Sequence, residues 1–122
     1  MNKKVLYVDD EDINLMIFSR LFEKDFVVQT YNSPKKALQF LKENKVDLIL
    51  TDQQMPIMLG TEMLDSIAQL FPVERPKIAI VSGYNKNSEI TDALNKKLAD
   101  TFISKPWEYD SLKSTLIQLM ND

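Results

Sequence analysis

The chain has no cysteine and no histidine, only two glycines, a single tryptophan and no long apolar run. Without cysteine there is no disulfide framework, no thiolate nucleophile and no cysteine-bound metal. Without histidine, the usual zinc ligand and the commonest general base are both missing. Two glycines among 122 residues cannot build a glycine-rich phosphate cradle. No apolar run approaches the roughly 18 residues of a membrane span, and Met1-Asn2-Lys3-Lys4 leads into a strand pattern instead of a signal peptide. A formal net charge of −3 disfavours a nucleic-acid surface. One soluble, cytoplasmic domain covering residues 1–122 is expected, touching neither nucleic acid nor membrane.

What is present is an alternation of strand and helix patterns. Val5–Val8, Phe26–Thr30, Val46–Thr51, Lys77–Val81 and Thr101–Ile103 are short, apolar and mostly rich in β-branched or aromatic residues. Between and after them run stripes at helical spacing. Ile13, Met16, Ile17, Leu21 and Phe22 form the first, and Ala37, Leu38 and Leu41 the second. Met63, Leu64, Ile67, Leu70 and Phe71 form the third; Ile90, Ala93 and Leu94 a weaker fourth; Leu112, Leu116, Leu119 and Met120 the last. Ser33-Pro34 marks a helix start, an N-cap hydroxyl followed by proline in the first turn. Strands alternating with helices dictate a doubly wound parallel α/β sheet with helices on both faces. In such sheets the site lies beyond the carboxyl ends of the strands.

Those ends carry the chemistry. The third strand pattern closes on a carboxylate, Asp52, and a charge at the end of a buried strand needs a reason. The first strand runs into Asp9-Asp10-Glu11-Asp12, the fourth into Ser82-Gly83 and the fifth into Ser104-Lys105-Pro106. Converging carboxylates repel unless a cation joins them, and hard oxygen ligands suit Mg²⁺ or Mn²⁺. A lysine and a hydroxyl beside them suit a phosphoryl oxyanion. Carboxylate nucleophile, divalent ion and lysine together make a phosphoryl-transfer site.

In these motifs the chain resembles the receiver domains of two-component response regulators. The resemblance rests on Asp9-Asp10, on Asp52 followed by Met55-Pro56, on Ser82 and on Lys105-Pro106, and covers essentially the whole chain. It implies a flavodoxin-like five-stranded sheet in 2-1-3-4-5 order with five helices. Asp52 is then the phosphoacceptor, taking a phosphoryl group from a histidine of a sensor histidine kinase or histidine phosphotransfer protein. Asp10 binds Mg²⁺ directly, Asp9 directly or through water, and the backbone carbonyl of Gln54 adds a ligand. Lys105 pairs with Asp52 at rest and with the phosphoryl oxygens afterwards, and its bond to Pro106 is cis. Ser82 and Phe102 form the switch, unless Phe102 only fills core. Trp107 belongs either to an output surface or to packing against the last helix. Asp12, not Asp9 or Asp10, caps the first helix. The resemblance implies a regulator rather than an enzyme, one that assists its own phosphorylation and dephosphorylation. Phosphorylation is expected to reorganise the face of the fourth helix, fifth strand and fifth helix, toward a downstream protein, an output domain or a weak homodimer.

Three other readings compete. A haloacid-dehalogenase-type phosphatase also uses a strand-end aspartate nucleophile but carries a second aspartate two residues on, where Gln54 stands here. A flavin-binding flavodoxin would find four acidic residues against its phosphate. A degenerate receiver would serve only for protein docking. Departures from the family are Leu98, where glycine is usual, and Leu59, where an acidic residue often precedes the glycine.

Tyr84 and Gln54 each follow a site residue by two positions, which places them beside the path of a hydrolytic water in line with the acyl phosphate. Tyr84 shields that path unless it points into solvent. Tyr84→Ala should therefore speed dephosphorylation severalfold, a barrier change of about 1 kcal/mol. Decay of the phosphoprotein after donor removal measures it, and an unchanged or slower decay removes Tyr84 from the mechanism.

Overall fold

The computed structural model describes residues 2–83 and 86–121. Five parallel strands, β1 (Lys4–Val8), β2 (Val27–Tyr31), β3 (Leu48–Asp52), β4 (Lys77–Ser82) and β5 (Thr101–Ser104), lie in the order β2-β1-β3-β4-β5. The helices are α1 (Asp12–Phe22), α2 (Pro34–Glu43), α3 (Gly60–Leu70), α4 (Ser88–Asn95) and α5 (Tyr109–Asn121). Strand limits differ from the sequence expectation by one or two residues, and β3 takes in Asp52 itself. Among the described residues no helix is long and apolar enough to cross a membrane.

Alternation along the strands divides the core in two. Leu6, Val8, Ile49, Ile78 and Ile80 point to one face, where Ala37, Leu41, Met63, Ile67 and Ile90 of α2, α3 and α4 cover them. Val5, Tyr7, Leu48, Leu50 and Val81 point to the other, under Leu15, Phe18 and Phe22 of α1 and Leu112 and Leu116 of α5.

The first helix corrects the sequence expectation. Of the stripe Ile13, Met16, Ile17, Leu21 and Phe22, only Phe22 is buried; the core contacts come from Leu15, Phe18 and Phe22. Both sets recur at helical spacing, so α1 is apolar over two faces and periodicity cannot say which face the sheet receives. The two phenylalanines decide it, because they stack into a ring column with Tyr7 and Phe26. Asp12 is likewise not the cap. Glu11 is the N-cap and makes no side-chain capping bond, while Asp12 lies in the first turn and accepts from Asn32 Nδ2 at 3.1 Å. Ser33 does cap α2, its Oγ accepting from the Lys36 amide, with Pro34 in the first turn.

The end of α4 is built around Lys97 rather than Leu98. Lys97 has φ 61°, the left-handed region that favours glycine. The Leu98 amide bonds back to Ala93 O at 2.9 Å and the Lys97 amide to Leu94 O at 3.1 Å, a Schellman closure. Leu98 supplies the apolar residue of that motif, packed against the cluster that contains Ala93. Arg75 braces the turn by donating to Lys97 O and Asp100, each at 2.8 Å.

An L-residue in this conformation costs roughly 1–2 kcal/mol, part of which glycine would return as extra freedom of the unfolded chain. Lys97→Gly should therefore raise unfolding free energy by about 0.5–1 kcal/mol. A higher urea midpoint at unchanged slope is the expected result.

Candidate functional site

Register alone gathers the strand-end residues. Val8 pairs with Thr51, Asp52 with Val81, and Ser82 with Ser104. Asp9, Asp52, Ser82 and Lys105 therefore stand at one edge of the sheet. Carboxylate oxygens of Asp9, Asp10 and Asp52 all lie within 4.8 Å of one another. Asp10 is exposed, Asp9 is fully buried and Asp52 nearly so.

Lys105 joins the two buried carboxylates. Its Nζ lies 3.1 Å from Asp9 Oδ2 and 3.4 Å from Asp52 Oδ1. The sequence suggests a pair with Asp52; the structure makes Asp9 the closer partner. Asp9 is further held by Tyr7 OH and Asn14 Nδ2, which donate to Oδ2 at 2.6 and 3.2 Å, and by the Glu11 amide, which donates to Oδ1 at 3.0 Å. Burial pushes the Asp52 carboxyl up to about 6; Lys105 opposes the rise, and Asp9 and Asp10 add to it. Lys105 is raised as well, since Asp52 and Asp9 outweigh the opposite effect of burial. Burial, then the bond to Asp9, holds the Tyr7 phenol protonated far above the ordinary tyrosine range.

The loop after β3 is tied down by its neighbours. The Gln53 side chain is buried, accepts from the Thr61 amide at 2.9 Å and donates to Thr61 Oγ1 at 3.1 Å. The Gln53 amide bonds to Val81 O and its carbonyl accepts from the Gly60 amide. Gly60 is required by close approach, because a Cβ there would meet the Asp52 carbonyl oxygen at 2.5 Å. Leu59 is the α3 N-cap; its amide donates to Glu62 Oε1 at 2.8 Å, and the Thr61 amide, which a capping side chain at 59 could take, is bonded by Gln53 Oε1 instead.

The family description "response regulator receiver domain" matches residues 5–117. The chain belongs to that family. A receiver of this kind serves two-component signalling, and an acidic pocket made by Asp9, Asp10 and Asp52 is typical of the family's phosphoacceptor site. The hydrogenase transcriptional regulatory protein HoxA of Bradyrhizobium diazoefficiens is 33% identical over 112 residues, covering 92% of this chain and 23% of HoxA. The chain thus spans only a part of that curated relative. A CheY-like receiver domain protein from Methanospirillum hungatei JF-1 superposes with a TM-score of 0.89 at 25% identity, covering 99% of this chain and 95% of that one. The response regulator TrrA from Thermotoga maritima, solved in complex with Mg²⁺-BeF, superposes with a TM-score of 0.79 at 26% identity over 96% of this chain and 98% of that one.

In this receiver the remaining expected residues divide. Ser82 is buried at the end of β4, and its carbonyl accepts from the Lys105 amide at 2.8 Å. The Lys105–Pro106 bond is cis. Phe102 is half-buried against the cluster that includes Ile90 and Ala93 of α4. The Gln54 side chain is exposed, and Tyr84 lies outside the described residues. Trp107 packs edge-on against Tyr7 and Phe18, both with ring centroids at 6.1 Å, which puts it on the α1 side of β5. Sequence reasoning missed Tyr7, Asn14 and Gln53. Tyr7 had a signal: residues two apart on a strand share a face, so a phenol at 7 points the way Asp9 does.

A carboxyl raised by folding binds its proton more tightly in the folded chain. The stability tied to that proton is complete below about pH 4 and is lost as pH rises through about 6. In metal-free buffer the thermal midpoint should therefore fall across that window, and Asp52→Asn should flatten the fall. Equal slopes in the two proteins would contradict the electrostatic account of Asp52.

Proposed function

We propose that Asp52 is a phosphoacceptor and that the protein is a phosphorylation-controlled regulator, not an enzyme with a substrate of its own. The observation that carries this is the buried Asp52 carboxylate at a strand end, facing both Lys105 and the Asp9-Asp10 pair. At neutral pH a carboxyl titrating at about 6 is mostly ionised and nucleophilic. An Asp52 oxygen attacks the phosphorus of a phosphohistidine, forming an O–P bond as the P–N bond breaks and its electron pair returns to the imidazole. Lys105 then follows the charge, leaving Asp9 and Asp52 for the phosphoryl oxygens, with the Ser82 hydroxyl turning toward them.

Asp9, Asp10 and Asp52 offer a hard, all-oxygen donor set that fits Mg²⁺, or Mn²⁺ in its place. Asp10 and Asp52 would hold the ion directly, Asp9 directly or through water, and the Gln54 backbone carbonyl would complete the protein ligands. When bound, the ion offsets the negative charge that carboxylates and phosphoryl group would otherwise pool. The Mg²⁺-BeF complex of the similar TrrA supports that assignment.

The donor domain lies outside these 122 residues, which contain no histidine. It must cover the rim of the site to bring its histidine to Asp52. Ile17 of α1, exposed, lines a cavity of about 420 Å³ there with Lys105, Pro106 and Trp107, and Ile13 and Met16 of the same helix and Ile57 of the β3–α3 loop are exposed as well. Such an apolar rim fits a sensor histidine kinase or a histidine phosphotransfer protein. On the output side, Phe102 reports Ser82 to the face of α4, β5 and α5, where a downstream protein, an output domain or a second copy would dock. The intact set of Asp9, Asp10, Asp52, Ser82 and Lys105 disfavours a docking-only role, and Gln54 disfavours the phosphatase reading.

Acetyl phosphate with Mg²⁺ should add one phosphoryl mass to the intact protein, and Asp52→Asn should abolish the gain. Undiminished labelling of that variant would sink the assignment. Asp10→Asn should weaken Mg²⁺ binding, as seen by titration; equal affinity would move the metal elsewhere.

A further inference from the structure

Asp9 is saturated with donors in a way the phosphoryl-transfer step does not itself explain. Its Oδ2 receives Tyr7 OH, Lys105 Nζ and Asn14 Nδ2, and the shortest of these bonds, 2.6 Å, comes from Tyr7. Among the described residues Lys105 is the only ion-pair partner Asp9 has. Asp9 has no solvent exposure. When Lys105 turns to the phosphoryl oxygens, the buried Asp9 Oδ2 loses the ammonium bonded to it; an ion held by the trio is shared with Asp10 and Asp52, so the fixed donors at Oδ2 carry more of the Asp9 charge.

Tyr7 is the best placed of those donors. Its ring is fully buried, fixed by Phe18 at 4.7 Å and Trp107 at 6.1 Å between centroids. Its hydroxyl therefore cannot follow Lys105 away. The Asn14 amide, on the first turns of α1 and at 3.2 Å, is the weaker helper.

We propose that Tyr7 is a positioning residue of the phosphoacceptor site: its hydroxyl stabilises the Asp9 carboxylate when Lys105 leaves, and so sets how readily Lys105 is released. This rests on the reading of Asp52 as acceptor and of Lys105 as the group that moves. Removing the hydroxyl leaves Asp9 more dependent on Lys105, so the ammonium is held back in the resting arrangement. It also leaves Asp9 with more unscreened negative charge toward a cation.

Tyr7→Phe keeps the ring and removes only the donor. At saturating Mg²⁺ the variant should take phosphoryl from acetyl phosphate roughly three- to tenfold more slowly, the effect of about one hydrogen bond. Its Mg²⁺ affinity should be unchanged or tighter. Trp107, the only tryptophan in the sequence and in contact with Tyr7, gives that affinity directly by fluorescence. A site merely loosened by the substitution would lose affinity and rate together, and that result overturns the proposal. So does a wild-type rate in Tyr7→Phe. In an Asp9→Asn background, where no buried charge needs support, adding Tyr7→Phe should slow labelling no further; equal slowing in both backgrounds overturns the role. Wild-type protein that takes no label on Asp52 overturns the acceptor reading and this inference with it, whereas labelled wild type with an indifferent Tyr7→Phe overturns Tyr7 alone.

Discussion

Three carboxylates within 4.8 Å of one another and one ammonium between two of them set the terms for everything at the carboxyl edge of the sheet. In bulk water such repulsions are about 1 kcal/mol at contact distances; partly out of water they are several times larger. The protein does not cancel them. Lys105 supplies one positive charge against three negative ones, and burial leaves Asp52 with a carboxyl raised to about 6. The site is thus short of positive charge by construction, which favours a divalent cation at rest and gives Lys105 more than one place to go. A fully neutralised site would bind nothing and switch nothing.

Holding such a cluster together requires rigid backbone beneath it. Parallel register supplies most of that, since β1, β3, β4 and β5 deliver their last residues to a common edge. The remainder comes from loop residues that bond backward into the sheet. The Gln53 amide and carbonyl tie β3 to Val81 and Gly60, and the Lys105 amide ties the β5 loop to Ser82. The close pass of Gly60 over the Asp52 carbonyl sets the start of α3 directly on the backbone of Asp52. Stability spent on repulsion at the edge is recovered in the two apolar layers below it.

Strand order and the gathering of Asp9, Asp52, Ser82 and Lys105 at one edge were legible from strand-end motifs and the resemblance they carry; the cis bond at Pro106 was implied by the resemblance alone, since no residue pattern dictates it. Local choices were less so. The stripe through Ile13, Met16 and Ile17 obeys helical periodicity yet faces solvent, because α1 has a second stripe whose phenylalanines fill the core better. Periodicity detects a face, not its neighbour. The turn after α4 carries Leu98 where the family usually has glycine, yet the left-handed residue is Lys97, one place earlier, since the closing hydrogen bonds and not residue type fix the position. Gln53 was overlooked in favour of Gln54 because both are polar and adjacent. What separates them is tertiary: Gln53 is buried and bonded to Thr61, whereas Gln54 is exposed.

The same geometry constrains how a signal leaves the site. The Lys105 main chain is pinned on both sides, by its amide bond to Ser82 O and by Trp107 wedged against Tyr7 and Phe18. A change of partner by Lys105 must then be a motion of its four-carbon side chain and ammonium, with the strand beneath it still. On the proposed reading, transmission then falls to residues whose surroundings can yield. Trp107 leans edge-on against the aromatic column on the α1 side of the sheet and also borders the cavities of about 420 and 380 Å³. Phe102 lies on the other side, half-exposed above the short helix α4, and lines a surface cavity of about 380 Å³ with Ser104, Glu108 and Ser111. Free space beside a bulky ring is what a rotamer change needs. Phe102 and Trp107, the rings on either side of Lys105 in sequence, thus both adjoin open space, and Trp107 is braced from behind by Tyr7 and Phe18.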